Sequence, residues 1–307
     1  MNNNPYVSIV VVIFNMNREI KRTFYSLSSA YQNSVTEKEY EVIIVDNGSS
    51  TPLSSDFIKS FGNNFKYHYL SSPSISPVKA VNYGVGRSKG QLVGIMIDGA
   101  RMLTPGVLKY AIASSLMFKD PLIATLGWLI GSKAVSDPGI TDYDRGKEDL
   151  LLQDIGWPKD PYRLFEISRL METSHRGWFM PPKESNCLFM PRDTFEKLGG
   201  YDERFVSPGG GASNTEFFSR ACHVPGTELI IILGEGTFHQ SHNGVVSNSS
   251  SDERKELVKS IRAEYKRITN KKPEWPNNKI FYIGHMPKEA KGFLEHSMNF
   301  LNTEEEK

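Results

Sequence analysis

Strand-like apolar runs alternate with helix-periodic segments along the first 130 residues, and this alternation constrains the fold more than any other feature. Val7-Ser8-Ile9-Val10-Val11-Val12-Ile13-Phe14 is rich in β-branched residues, as suits a strand buried on both faces. Ile20, Phe24, Leu27 and Tyr31 then recur at helical intervals, with Asn17 as the expected N-cap. Further strands are expected at residues 41–46, 66–70, 92–97 and 122–130. Helices are expected at residues 53–61, from Pro77 onward, and from Thr104-Pro105, an N-cap followed by a first-turn proline. Strands separated by helices mean βαβ units and a largely parallel sheet, hence an α/β fold.

Between residues 134 and 182 the apolar pattern breaks up, with helical pieces only near 147–155 and 162–171. A long insertion of this kind often carries binding loops. Order returns with a strand at 186–190, helices at 192–198 and 214–222, and a late strand at 227–233. Beyond residue 248 the chain turns charged and helical, and Leu257, Ile261, Tyr265 and Ile268 form a docking stripe. Residues 273–287 read as irregular, and a final helix near 288–301 precedes the acidic tail Glu304-Glu305-Glu306. The expected division is a main domain at 1–247, with halves 1–131 and 132–247, and a helical C-terminal extension at 248–307.

A net charge of +1 gives no global field for nucleic acid or an anionic membrane surface. No apolar run is long enough to span a bilayer and no leader pattern is visible, so a soluble cytoplasmic protein is expected. Cys187 and Cys222 form neither a metal spacing nor a disulfide framework, and Cys187 reads as a buried thiol. The turn after the first strand, Phe14-Asn15-Met16-Asn17-Arg18-Glu19, has no glycine, so the dinucleotide fingerprint is missing. The phosphate-cradling loop and the Gly-x-Ser-x-Gly elbow are missing too. Gly84-Val85-Gly86 lies at the end of a helical pattern and reads as a C-cap and turn.

Ligands of open α/β sheets lie beyond the carboxyl ends of the strands. Two expected strands end there in acids, Asp46 and Asp98, and Asp98-Gly99-Ala100-Arg101 combines a carboxylate, minimal side chains and a base. An Asp-Gly turn is the plainer reading of that stretch taken alone. Several other blocks fall in a suggestive order. They are Val45-Asp46-Asn47-Gly48-Ser49-Ser50, Ala80-Val81-Asn82-Tyr83-Gly84, Asn186 with Gly199-Gly200-Tyr201-Asp202-Glu203, and Asn214-Thr215-Glu216-Phe217-Phe218-Ser219-Arg220. In that order, from about Val7 to His242, the chain resembles the family 2 glycosyltransferases, which have the Rossmann-like GT-A fold, a mostly parallel sheet flanked by helices.

The resemblance implies a hexosyltransferase-type enzyme of polysaccharide or glycoconjugate biosynthesis, using a nucleoside-diphosphate sugar with UDP favoured as carrier. It places Phe14, Asn15, Asp46, Asn47, Lys79, Asn82, Asp98, Gly99 and Arg101 on the nucleotide sugar, with Asp46 on the base. Glu216 falls on the motif position of the catalytic base of an inverting transfer. Its plainer role is a helix-dipole carboxylate. Trp178, Glu184 and Asn186 are the acceptor-side candidates, and the acceptor is a glycan, a lipid-linked molecule or a small molecule. The family's Asp-x-Asp is altered here, because the usual metal position is Ala100. Either Arg101 replaces the metal's charge, or Mn²⁺ or Mg²⁺ is retained by Asp98 with His242, His239 being the alternative; the second reading is favoured. Rival functions are a nucleotidyltransferase on a related fold and a non-catalytic nucleotide- or sugar-binding module.

Overall fold

Two β-branched runs, β1 (Val7–Ile13) and β2 (Tyr40–Asp46), lie parallel at the heart of the sheet with every residue buried. In this computed structural model, which describes residues 4–131, 143–242 and 251–305, β3 (Phe65–Tyr69) extends the sheet beyond β2 and β4 (Leu92–Met96) flanks β1 on its other side, all parallel. The remaining strands are β5 (Arg101–Leu103), β6 (Pro121–Ile130), β7 (Ser168–Leu170), β8 (Leu188–Pro191), β9 (Glu228–His239) and β10 (Ile280–Gly284). The sheet runs β10-β9-β6-β8-β4-β1-β2-β3, with β5 on β9 and β7 on β6. β8 is antiparallel to both β4 and β6, whereas β6, β9 and β10 are parallel. The expected mostly parallel α/β sheet is what forms.

Helices cover both faces. α1 (Glu19–Leu27), α2 (Ser55–Lys59) and α4 (Val107–Met117) pack on one side, where Ile20, Phe24, Ile58, Val107 and Leu108 meet the odd residues of β1. α3 (Val78–Arg87), α6 (Arg192–Lys197) and α7 (Ser213–Cys222) bury Val81, Phe195, Phe217 and Phe218 against Val10, Val45 and Leu188 on the other. The alternation of inward residues along β1 between these two layers is the period-2 geometry of a strand. α5 (Arg145–Asp154) belongs to the insertion, and α8 (Ser251–Thr269) and α9 (Lys291–Glu305) to the C-terminal segment. Cys187 and Cys222 are free and buried, as expected for the first.

Several local expectations change. Gly84 is no C-cap but lies inside α3, where a Cβ would stand 2.4 Å from Val10 Cγ1, so its bare backbone lets the helix seat on β1 and β2. α4 starts at Val107, and the Thr104 hydroxyl instead accepts the Gly236 N–H at 2.9 Å. α1 starts at Glu19, so the cap position falls on Arg18, which makes no side-chain cap bond, and not on the expected Asn17. Residues 162–171 hold a short 3₁₀ turn, Pro161–Phe165, and then β7 rather than a helix. The irregular reading of 273–287 misses β10, which adds an edge strand to the main sheet. The late strand does not stop at 233: β9 runs through Gly234-Glu235-Gly236 to His239. The expected boundary near 247, the first part of the insertion and the end of the acidic tail lie outside the described residues.

Candidate active site

β4 ends at Met96, and the chain turns through Asp98 and Gly99 into β5. Gly99 is required here: a Cβ would stand 2.6 Å from Ile13 Cγ2 and 2.8 Å from the Val12 carbonyl, so only glycine lets the turn rest on the end of β1. The Ala100 N–H donates to Asp98 Oδ1 at 3.0 Å and fixes that carboxylate. β5 then pairs antiparallel with β9 in a register that sets Arg101 opposite His239. This pairing brings a late segment of the chain onto the end of the fourth strand.

The result is a cluster of Asp98, His239 and His242. His239 Nε2 lies 2.9 Å and His242 Nε2 3.9 Å from Asp98 Oδ2, and the two imidazole nitrogens are 3.0 Å apart. One ligand atom from each residue falls within 4.8 Å of the others, a separation a single cation could bridge. Two imidazoles with one carboxylate suit a transition ion such as Mn²⁺ better than Mg²⁺, which prefers oxygen. Burial and the Arg101 charge push the His239 imidazole below its ordinary value against the pull of Asp98, which favours the neutral ring a metal needs. Burial opposes ionisation of Asp98, but the neighbouring His239 and Arg101 outweigh it and hold its carboxyl well below the usual carboxylate range. Both sequence-derived histidines therefore sit at Asp98, not one of them.

Arg101 is buried, 3.4 Å from Asp98 Oδ2 through Nε and in contact with the Met171 sulfur through Nη1. Burial lowers its pKa, opposed by the Asp98 and Glu184 carboxylates. Glu184 belongs to the same polar wall. It accepts the Thr215 hydroxyl at 2.8 Å and the Asn186 amide at 3.4 Å, and Asn186 reaches the Met171 sulfur. Asn214 beside Thr215 is fixed by Tyr201 Oη and donates to the Ser185 carbonyl. Met171 had no sequence signal, and Thr215 was marked only as part of the block around Glu216; the meaning of each comes from its neighbours in space.

Other candidates are placed elsewhere. Glu216 is held by Arg220 through both carboxylate oxygens, at 2.8 and 3.0 Å, and Arg220 also donates to the Leu198 and Gly200 carbonyls. Its environment is thus the 199–204 loop, not the Asp98 cluster. Asn82 is spent on the same loop, bonding the Tyr201 backbone on both sides. Trp178 is not at a binding surface: it is fully buried against Trp128 and Phe165, with ring centroids 5.6 and 6.2 Å away. On the nucleotide side, Asp46 is fully buried, with Oδ1 taking the Ser49 N–H and Oδ2 the Tyr67 hydroxyl. Asn47 is braced by Ser74. Asn15, with φ 51°, accepts from Ser50, and Phe14 beside it leaves 52% of its surface exposed at the end of β1. Lys79 is exposed in the first turn of α3.

Residues 8–108, from β1 into α4, match the family model described as Glycosyl transferase family 2. No curated protein matches by sequence. Among solved structures, S. aureus TarS is similar to 96% of the chain at 16% identity and a TM-score of 0.51, the match spanning 43% of that protein's chain. S. aureus TarS 1-349 in complex with UDP-GlcNAc aligns at 15% identity and a TM-score of 0.53, over 96% of this chain and 71% of that one. The chain therefore spans less than half the length of the longer TarS structure. The structural likeness concerns the fold, and the family 2 glycosyltransferase model is matched by residues 8–108, the stretch from β1 into α4.

Proposed function

We propose that this protein transfers a sugar, with inversion, from a nucleoside-diphosphate sugar to an acceptor hydroxyl, and that UDP is the carrier. The observation that carries the proposal is the convergence of Asp98, His239 and His242 beside Arg101 at the carboxyl end of β4. The UDP-GlcNAc complex of TarS supports UDP. In this reading Asp98 and both histidines hold a divalent cation, with Mn²⁺ the fitting ion, which when bound supplies positive charge for the departing diphosphate. Arg101 backs the cluster from below, keeping Asp98 ionised. Phe14 and Asn15 border the base, with Asp46 shaping that pocket through Ser49 and Tyr67.

Inverting transfer needs one base on the face opposite the leaving group. We assign it to Glu184 rather than Glu216. The Glu184 carboxylate is partly exposed and shares a wall with Arg101, with one oxygen oriented by Thr215. Glu216 has both carboxylate oxygens engaged by the Arg220 guanidinium, so neither is turned toward an acceptor hydroxyl. In this reading Asn186 and Glu184 border the acceptor, while Trp178 packs in the core against Trp128 and Phe165.

The test is turnover of a UDP-sugar panel by the wild type, Glu184→Gln and Glu216→Gln, with UDP affinity measured beside it. Glu184→Gln should lose about 10²–10⁴-fold in kcat and keep its UDP affinity, while Glu216→Gln should retain most of its turnover. The reverse pattern restores Glu216 as the base. Ala100 favours one second reading, a nucleotide-sugar-binding module without turnover. Nucleotide-sugar binding with no transfer or hydrolysis in any of the three proteins would establish it.

A further inference from the structure

β9 ends at His239, and the following residues leave the sheet ladder with one backbone bond remaining, from the Gln240 N–H to the Ala100 carbonyl at 2.9 Å. The direction in which His242 points therefore depends on what holds Gln240 and Ser241. Four side chains from two other elements do so. Glu148 of α5, fully buried, accepts the Ser241 N–H on Oε2 at 2.6 Å. Arg18 donates to the Ser241 carbonyl at 3.3 Å, Arg22 approaches the Gln240 amide oxygen, and the Gln240 amide donates to Thr23 Oγ1 and the Glu19 carbonyl. Glu148 is in turn held on Oε1 by Arg18 at 3.3 Å and faced by Arg22 at 3.8 Å, and the Tyr143 hydroxyl reaches its Oε2. Asp149 caps the outer end of both arginines.

We propose that Glu148 is a positioning residue for the cation site: its carboxylate fixes the Ser241 backbone and so keeps the His242 imidazole beside His239 and Asp98. The proposal rests on the metal reading of that cluster. It gives α5, which lies in the insertion far from either histidine in sequence, a defined task. It also explains why a complete carboxylate is sealed under the site, where burial raises its pKa and the Ser241 N–H and two guanidinium groups oppose that cost. Outer groups that orient metal-ligating side chains typically govern affinity by about 10–100-fold.

The experiment is Mn²⁺ titration of the whole chain, by calorimetry and by the electron paramagnetic resonance signal of free Mn²⁺, with circular dichroism confirming the fold of each variant. Glu148→Leu removes the acceptor. Glu148→Asp keeps the charge opposite Arg18 and Arg22 but withdraws the oxygen from Ser241. Glu148→Gln keeps an oxygen that can accept the Ser241 N–H. Asp149→Asn weakens the outer contact of Arg18 and Arg22 and leaves the Glu148–Ser241 bond itself in place. The expected order is a loss of about 10–100-fold in Mn²⁺ affinity for Leu and Asp, and a change of a few-fold at most for Gln and for Asp149→Asn. Should Leu unfold the chain, the Asp variant carries the same comparison. Wild-type affinity in folded Glu148→Asp, with binding abolished in Asp98→Ala, overturns the positioning role and leaves the metal reading standing. No Mn²⁺ binding by the wild type overturns both.

Discussion

Glu184 and Glu216 differ in their company far more than in their chemistry. One faces a polar wall with a neutral hydroxyl on it, and the other is clasped by Arg220. Glu216→Gln should accordingly cost stability, on the order of 1–2 kcal/mol for weakened charge-assisted bonds, read as a shift in the urea midpoint rather than in rate. Trp178 tells a similar story. Its place in the irregular insertion made it an acceptor candidate, yet it packs between Trp128 and Phe165 while its backbone N–H donates to Ser297. Trp178→Ala should destabilise the chain by about 3–5 kcal/mol in chemical denaturation, with the acceptor KM of the folded fraction unchanged. At this scale the sequence named Asp98 from its place at a strand end, and Asn186, Glu184 and the two histidines from the resemblance and the order of the blocks. It named Glu216 as the base and Glu184 only as an acceptor-side residue; the exchange of roles proposed above rests on Thr215 and Arg220, whose contacts spacing does not reveal.

Among the elements, β1, β2 and β4 were legible from their β-branched runs, and α1 and α3 from their periodicity. β9 was legible only to Leu233, because Gly234-Glu235-Gly236 reads as a loop. The strand continues because β6 pairs with it on both sides of a register shift, an effect of tertiary pairing over local propensity. Glu235 lies in that passage, fully buried, accepting from the Gly106 N–H at 3.0 Å and the Tyr162 hydroxyl at 2.7 Å, with His285 at 3.3 Å. Burial, opposed by these donors, pushes its carboxyl from an ordinary 4.5 up to about 7. The folded chain thus holds this proton more tightly than the unfolded chain. The associated stability is fully present below pH 4.5 and is lost as pH rises through about 7. Comparison with Glu235→Gln should expose it: the wild type loses on the order of 3 kcal/mol relative to the variant between pH 4.5 and 8. A pH-independent difference in denaturation free energy between the two would refute the assignment.

Across the whole molecule, the proposed cation ties Asp98, within the matched stretch, to histidines at the far end of β9. Mn²⁺ added after EDTA treatment should therefore raise the melting temperature. A concentration one hundred times Kd corresponds to about 2.7 kcal/mol, and Asp98→Ala should abolish the effect. Unaltered melting in wild type, with full turnover in EDTA, would return the phosphate charge to Arg101 alone. Among the described residues no helix is long and apolar enough to cross a membrane, and the C-terminal segment reaches the sheet through β10.

The pairing of β5 with β9 also bears on synthesis. Chains emerge from the ribosome N-terminus first, and their early parts begin to fold as they appear. By the time β6 is out, the carboxylate of Asp98 and its turn on β1 can be in place, but both imidazoles are still to be made. The nascent first half is then a surface with an acid and an arginine and no means of retaining an ion. For the proposed site, cation capture would then be one of the last events of maturation, beyond the reach of a chain truncated before Glu228.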